Sequence, residues 1–114
     1  MSLNNEVRLI GNIVKEPTII ESEKGNFGRI RIASNTKRGD KEDTLFIDVK
    51  LFGYAYKDLE YHSLEKGDRV VVYGRLSIDE YNDKEGNKRR EPVVYGNSVM
   101  KVARRKATEE AKSF

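Results

Sequence analysis

The sequence predicts an all-β domain, a five-stranded Greek-key barrel with one short helix between strands 3 and 4. Three observations carry this. The first is period-two alternation along most of the chain. In "TLFIDVKLFG", residues 44–53, Leu45, Ile47, Val49 and Leu51 share one face, while Thr44, Phe46, Asp48, Lys50 and Phe52 share the other. The second is a single stretch of helical character. The third is glycine inside strand patterns, at Gly11, Gly28 and Gly74, where small closed sheets need bulges and tight bends.

The elements follow in order. Residues 6–15, "EVRLIGNIVK", form the first strand, which Pro17 interrupts. The stretch "TIIESE" leads into a turn at Lys24, Gly25 and Asn26, and residues 27–35, "FGRIRIASN", form the second strand. Residues 36–43, "TKRGDKED", read as a polar loop around Gly39, and the third strand follows. Residues 55–67 are rich in helix formers, with Leu59 and Leu64 to pack inward and Gly67 as the C′ glycine. "DRVVVYGRLSIDEY" is the fourth strand, with Val70, Val72, Leu76 and Ile78 as its core row. "NDKEGN" makes a hairpin around Gly86, and residues 88–103 return as the last strand, with Pro92 marking an edge or irregular point. Three strand regions, a helix and two strands is the layout of an OB-fold barrel. The domain is expected over residues 4–103, with a polar tail at 104–114.

Composition bounds the function. The chain has 114 residues, enough for one domain, and 37% are hydrophobic, enough for one small core. It has no cysteine, which excludes disulfides and thiolate metal sites and suits a reducing cytosol. No apolar run approaches the roughly 20 residues of a membrane span, and "MSLNNEVRL" lacks the features of a signal peptide. The expected compartment is the cytoplasm, in association with the nucleoid. The net charge of +3 says little, so the placement of the charges has to decide.

The faces opposite the core rows share a pattern. Phe46, Lys50 and Phe52 lie on one, Arg29 and Arg31 on another, and Tyr73, Arg75 and Tyr81 on a third. Rings interleaved with cations suit a single nucleic-acid strand, because rings stack on bases and cations neutralise phosphates. Lys37 and Arg38 add charge at a loop tip. Each feature has a plainer explanation: cross-strand pairing or a subunit interface for the rings, solvation for the cations. Their combination on one barrel favours nucleic acid. Arg8, Ile10, Asn12 and Val14 form the outer row of the first strand and suit a subunit interface.

These segments resemble the bacterial-type single-stranded DNA-binding proteins. "NEVRLIGNIVKEP", with Gly11, Asn12 and Pro17, is similar to the family's opening strand. "RIRIASN", "TLFIDVKLFG", "LEKGDRVVVYGRL" and "YNDKEGNKR" resemble its later strands and hairpin, in order, across about residues 4–102. The resemblance implies sequence-tolerant binding and protection of single-stranded DNA in replication, recombination and repair, with no cofactor. It implies stacking roles for Phe46, Phe52 and Tyr81 and a homotetramer built from dimers, with a dimer as the alternative. The family often carries another ring after its second strand, where this chain reads "NTKRGD". It also carries a long linker and an acidic tip that recruits replication and repair proteins. Here the end reads "TEEAKSF", as in a short, phage or primosomal relative or a trimmed chain.

Two other functions compete. An OB barrel can host a metal-dependent nuclease, and Asp40, Glu42 and Asp43 cluster, as do Asp79 and Glu80. Lys41 and Arg38 interleave the first cluster, which favours a solvated loop, and His62 is the single histidine, so no enzyme is expected. A primosomal protein-interaction module, with the rings as its interface, is the other alternative.

Overall fold

The computed structural model describes residues 4–102. Its elements are β1 (Val7–Ile13), β2 (Thr18–Ile20), β3 (Phe27–Arg38), β4 (Lys41–Leu51), α1 (Tyr54–Tyr61), β5 (Arg69–Asn82) and β6 (Lys88–Lys101). The sheet runs β1-β5-β6-β4-β3-β2, and a second pairing of β1 with β3 closes it. The predicted strands are thus β1, β3, β4, β5 and β6. The short β2 lies against β3 beside the closed barrel. All pairings are antiparallel except β4 with β6.

Closure depends on β1 changing partners. Val7 to Asn12 pair with Gly74 to Arg69, and Asn12 and Ile13 pair with Ala33 and Ile32. Gly11 sits at this crossing, where a Cβ would come within 2.6 Å of the Ala33 carbonyl oxygen. Gly74 marks a register break in the β5–β6 ladder, which is a bulge.

The alternating apolar residues fill the barrel. Ile13, Ile30, Ile32, Ile47, Val49, Leu51, Val70, Val72, Val94 and Val99 form one buried cluster with Ala55 and Leu59 of α1. The helix packs close to β3, because a Cβ on Gly28 would lie 2.8 Å from Leu59 Cδ2.

Four expectations need correction. First, Leu45, Leu76 and Ile78 are exposed and not core. Leu45 lies before the first β4–β6 pair, and Leu76 and Ile78 lie past the last β1–β5 pair, so no wall stands opposite them. The Asn5 side chain caps the free edge of β5, donating from Nδ2 to the Leu76 carbonyl at 2.8 Å and accepting from its N–H at 2.9 Å. Second, residues 36–43 are not a loop. They continue β3 and β4 as a two-stranded arm, pairing Thr36 with Asp43, Lys37 with Glu42 and Arg38 with Lys41 about a turn at Gly39 (φ 65°). Both faces of the arm are exposed, so its strands carry no apolar alternation. Third, the helix ends at Tyr61, and Ser63 takes the C′ place expected of Gly67. Ser63 adopts the left-handed conformation (φ 51°), its N–H donates to the Glu60 carbonyl, and the Leu64 N–H donates to the Leu59 carbonyl. That is a Schellman cap without glycine. Fourth, β6 ends at Lys101. The expected tail, 104–114, lies outside the described residues. Among the described residues no helix is long and apolar enough to cross a membrane.

Candidate nucleic-acid interface

Strands β3, β4, β6 and β5 are consecutive neighbours, so their outward side chains form one surface. Register aligns them in rows. Arg29 pairs with Lys50, Lys50 with Tyr95, and Tyr95 with Arg75. This row of three cations and a ring crosses four strands, roughly 14 Å at the usual interstrand spacing. The next row is Arg31, Asp48, Val93 and Ser77.

Rings and cations interleave in the first row. The Arg75 guanidinium carbon lies 4.6 Å from the centre of the Tyr95 ring. Lys50 Nζ lies 5.8 Å from the Phe27 ring and 5.9 Å from Tyr95. Phe52 stacks on Phe27 at 4.9 Å and meets Tyr95 at 5.7 Å. Phe52 remains 42% exposed, so part of its ring stays open to a ligand.

Arg29 and Lys50 of this row, and Arg31 of the next, have acidic partners. Asp48 takes Arg29 Nη2 on one oxygen at 2.7 Å and Arg31 Nη1 on the other at 3.0 Å. Burial alone would raise the Asp48 pKa, but hydrogen bonds and charge from the two arginines outweigh it and hold the carboxyl below its ordinary value. Lys50 Nζ reaches Asp79 at 2.6 Å, and the Tyr95 hydroxyl donates to the same carboxylate at 3.3 Å.

The remaining candidates spread outward from this cluster. Phe46 lies further along β4 and is 54% exposed. Tyr81 stands on the β5–β6 hairpin, and its hydroxyl donates to Glu91 at 2.9 Å. That bond fixes the ring and pushes the phenol pKa above its ordinary value. A cleft of about 570 Å³ runs between Tyr81, Val93 and Lys50. Lys37 and Arg38 stand near the tip of the β3–β4 arm, where Arg38 pairs with Asp43 at 3.2 Å. Tyr73 falls elsewhere, next to Arg8 of β1 and Ser98 of β6. There Ile10, Val71 and Met100 share an adjacent row, so Tyr73 borders the surface suited to subunits.

Sequence reasoning missed two rings, Phe27 and Tyr95. Phe27 has the same parity as Arg29 and Arg31, and that signal was available. Tyr95 needed the β6 register, which the bulge near Gly74 obscures. Three of the five acids of the competing nuclease reading are engaged in pairs: Asp43 with Arg38, Asp79 with Lys50, and Glu80 with Arg90 at 3.3 Å. Among the described residues no group of three or more His, Asp or Glu is placed to hold a metal ion. His62 sits at the end of α1, edge-on to Tyr61 at 5.0 Å.

Comparison with known proteins gives the same direction. A single-stranded DNA-binding protein of Helicobacter hepaticus is 31% identical over 112 residues, which cover 93% of this chain and 65% of that protein. One from Deinococcus radiodurans is 32% identical, with 88% of this chain and 35% of that protein covered. The chain therefore spans about a third to two thirds of the length of these curated relatives. Among solved structures, a small single-stranded DNA-binding protein of Streptomyces coelicolor aligns with a TM-score of 0.73 at 24% identity, covering 88% of this chain and 96% of that one. A Plasmodium falciparum SSB in complex with ssDNA aligns at 0.75 and 22% identity, covering 90% and 98%. Both have the OB-fold. The model of the single-strand binding protein family matches residues 4–102, and the chain belongs to that family.

Proposed function

We propose that this chain binds and protects single-stranded DNA with little regard to sequence, in replication, recombination and repair. The observation that carries the reading is the row Arg29, Lys50, Tyr95 and Arg75, flanked by Phe27 and Phe52. Such a row offers ring faces to bases and positive charge to phosphates. Phe46 and Tyr81 extend the stacking surface at either side, and Lys37 and Arg38 extend its charge. Every base has a π-face, so stacking of this kind does not read sequence. The chemistry is binding and not catalysis, and its setting is the cytoplasm, on the nucleoid.

The assembly proposed is a homotetramer, with a dimer as the alternative. It uses the outer side of β1, where Arg8, Ile10 and Asn12 stand beside Val71 and Tyr73. Val14, just past β1, continues this row. Light scattering at micromolar concentration should report four subunits, or two, and a monomer would contradict both. DNA binding is tested by titration with oligo-dT followed through tyrosine emission, since the chain has no tryptophan. Saturable quenching supports the reading, and no interaction at low salt rejects it.

A further inference from the structure

Asp48 stands between two arginines of the proposed binding face. It is on the outward face, in the row next to Arg29, Lys50, Tyr95 and Arg75, and its side chain is 17% exposed. Its two oxygens take one arginine each, Arg29 at 2.7 Å and Arg31 at 3.0 Å. Guanidinium groups hold a phosphate through the same kind of charge-assisted hydrogen bond. Arg29 and Asp48 also line two neighbouring clefts, of about 570 Å³ and 370 Å³, so their pair stands where the clefts adjoin.

We propose that Asp48 is an internal competitor for the phosphates of the bound strand, setting affinity and salt dependence below what the arginines alone would give. This rests on the single-strand binding reading. The carboxylate occupies donors of Arg29 and Arg31 and cancels one of their two charges. A phosphate must therefore displace it or settle for the guanidinium N–H groups that remain. The same surface without the acid would bind more tightly and release more counterions. The acid thereby shifts binding toward base stacking, which is insensitive to salt, and a strand held in this way leaves more readily.

Two variants test the proposal, with the wild-type chain titrated by oligo-dT at several salt concentrations. Asp48→Asn keeps the shape and removes the charge. It should tighten binding about two- to fivefold at low salt, the order expected from freeing a partly exposed ion pair. It should also steepen the slope of log K against log salt by up to about 0.7 for each additional phosphate neutralised. Arg29→Gln together with Arg31→Gln, in the otherwise wild-type chain, should flatten that slope by about 0.7 and not by about 1.4, because Asp48 already cancels one of their two charges. This second measurement stands even if Asp48→Asn fails to fold. Weaker binding by folded Asp48→Asn would overturn the proposal and make Asp48 a residue that positions the arginines for DNA. A full loss of about 1.4 in slope for the double arginine variant would overturn it as well. Wild-type chain that ignores oligo-dT removes the reading beneath it, an outcome distinct from either variant's failure.

Discussion

Phe52 stacks on Phe27 with ring centroids 4.9 Å apart and planes 26° from parallel. One ring comes from the residue after β4 and the other from the first residue of β3, so the pair ties two neighbouring strands across the proposed binding face. Phe52 therefore has two roles to lose. Phe52→Ala should cost about 1–3 kcal/mol of oligo-dT affinity. It should also cost roughly 0.5–1.5 kcal/mol of stability from the lost ring pair. Phe46 has no ring partner among the described residues. Phe46→Ala should lose similar affinity with its urea midpoint unchanged. Fluorescence titration and denaturation of both variants separate the two roles.

Arg75 lies over Tyr95, and among the described residues it forms no ion pair with an acid. Its charge remains available to a phosphate. Arg75→Gln should flatten log K against log salt by about 0.7. Phe46→Ala should leave that slope unchanged, because a ring carries no charge. Equal slopes for Arg75→Gln and wild type would place the phosphates elsewhere.

Acid should weaken the fold partly through Asp48. Its carboxyl pKa is lowered in the folded chain by Arg29 and Arg31, against the opposing effect of burial. The stability this contributes is fully present above the ordinary carboxylate pKa and is lost as pH falls through the lowered folded value. Asp83, lowered by the Asn87 backbone N–H and by Arg89, acts in the same direction. Thermal midpoints measured from about pH 6 down to about pH 2 should fall less steeply for Asp48→Asn than for wild type. A parallel decline would remove Asp48 from the account of acid sensitivity.

Ser63 holds a left-handed conformation at the end of α1, with φ 51°. A side chain there costs roughly 1–2 kcal/mol, while glycine loses somewhat more backbone freedom on folding. Ser63→Gly should therefore stabilise the domain by about 0.5–1 kcal/mol, seen as a raised thermal midpoint. Gly11→Ala should do the reverse, because its Cβ would meet the Ala33 carbonyl at the closure of the barrel. A lowered midpoint for Ser63→Gly would mean that the hydroxyl supports the cap.

Much of this arrangement was legible in the sequence, and the misses have physical causes. Ile30, Ile32, Val49, Val70 and Val72 alternate because one face of each strand meets the core, and they are buried. Alternation reports which face a side chain takes, but not whether a wall stands opposite. Leu76 and Ile78 keep the correct parity and still face solvent beyond the last β1 pair. The β3–β4 arm is a ladder with no buried face, so its residues, from Thr36 to Asp43, resemble a loop. The outward cations stand out as a pattern along single strands, whereas their acidic partners do not. Asp48 meets Arg29 and Arg31, and Asp79 meets Lys50, only through a register that one strand alone does not reveal.

The most direct test compares the wild-type chain's affinity for oligo-dT with its affinity for a duplex of equal length, at one salt concentration, by tyrosine quenching. Duplex bases are stacked on each other and offer no free faces to Phe46, Phe52, Tyr81 or Tyr95. Strong quenching and far tighter binding are expected for the single strand. Equal affinity for the two would contradict a stacking interface, because charge alone would then explain the binding and the rings would have no part in it.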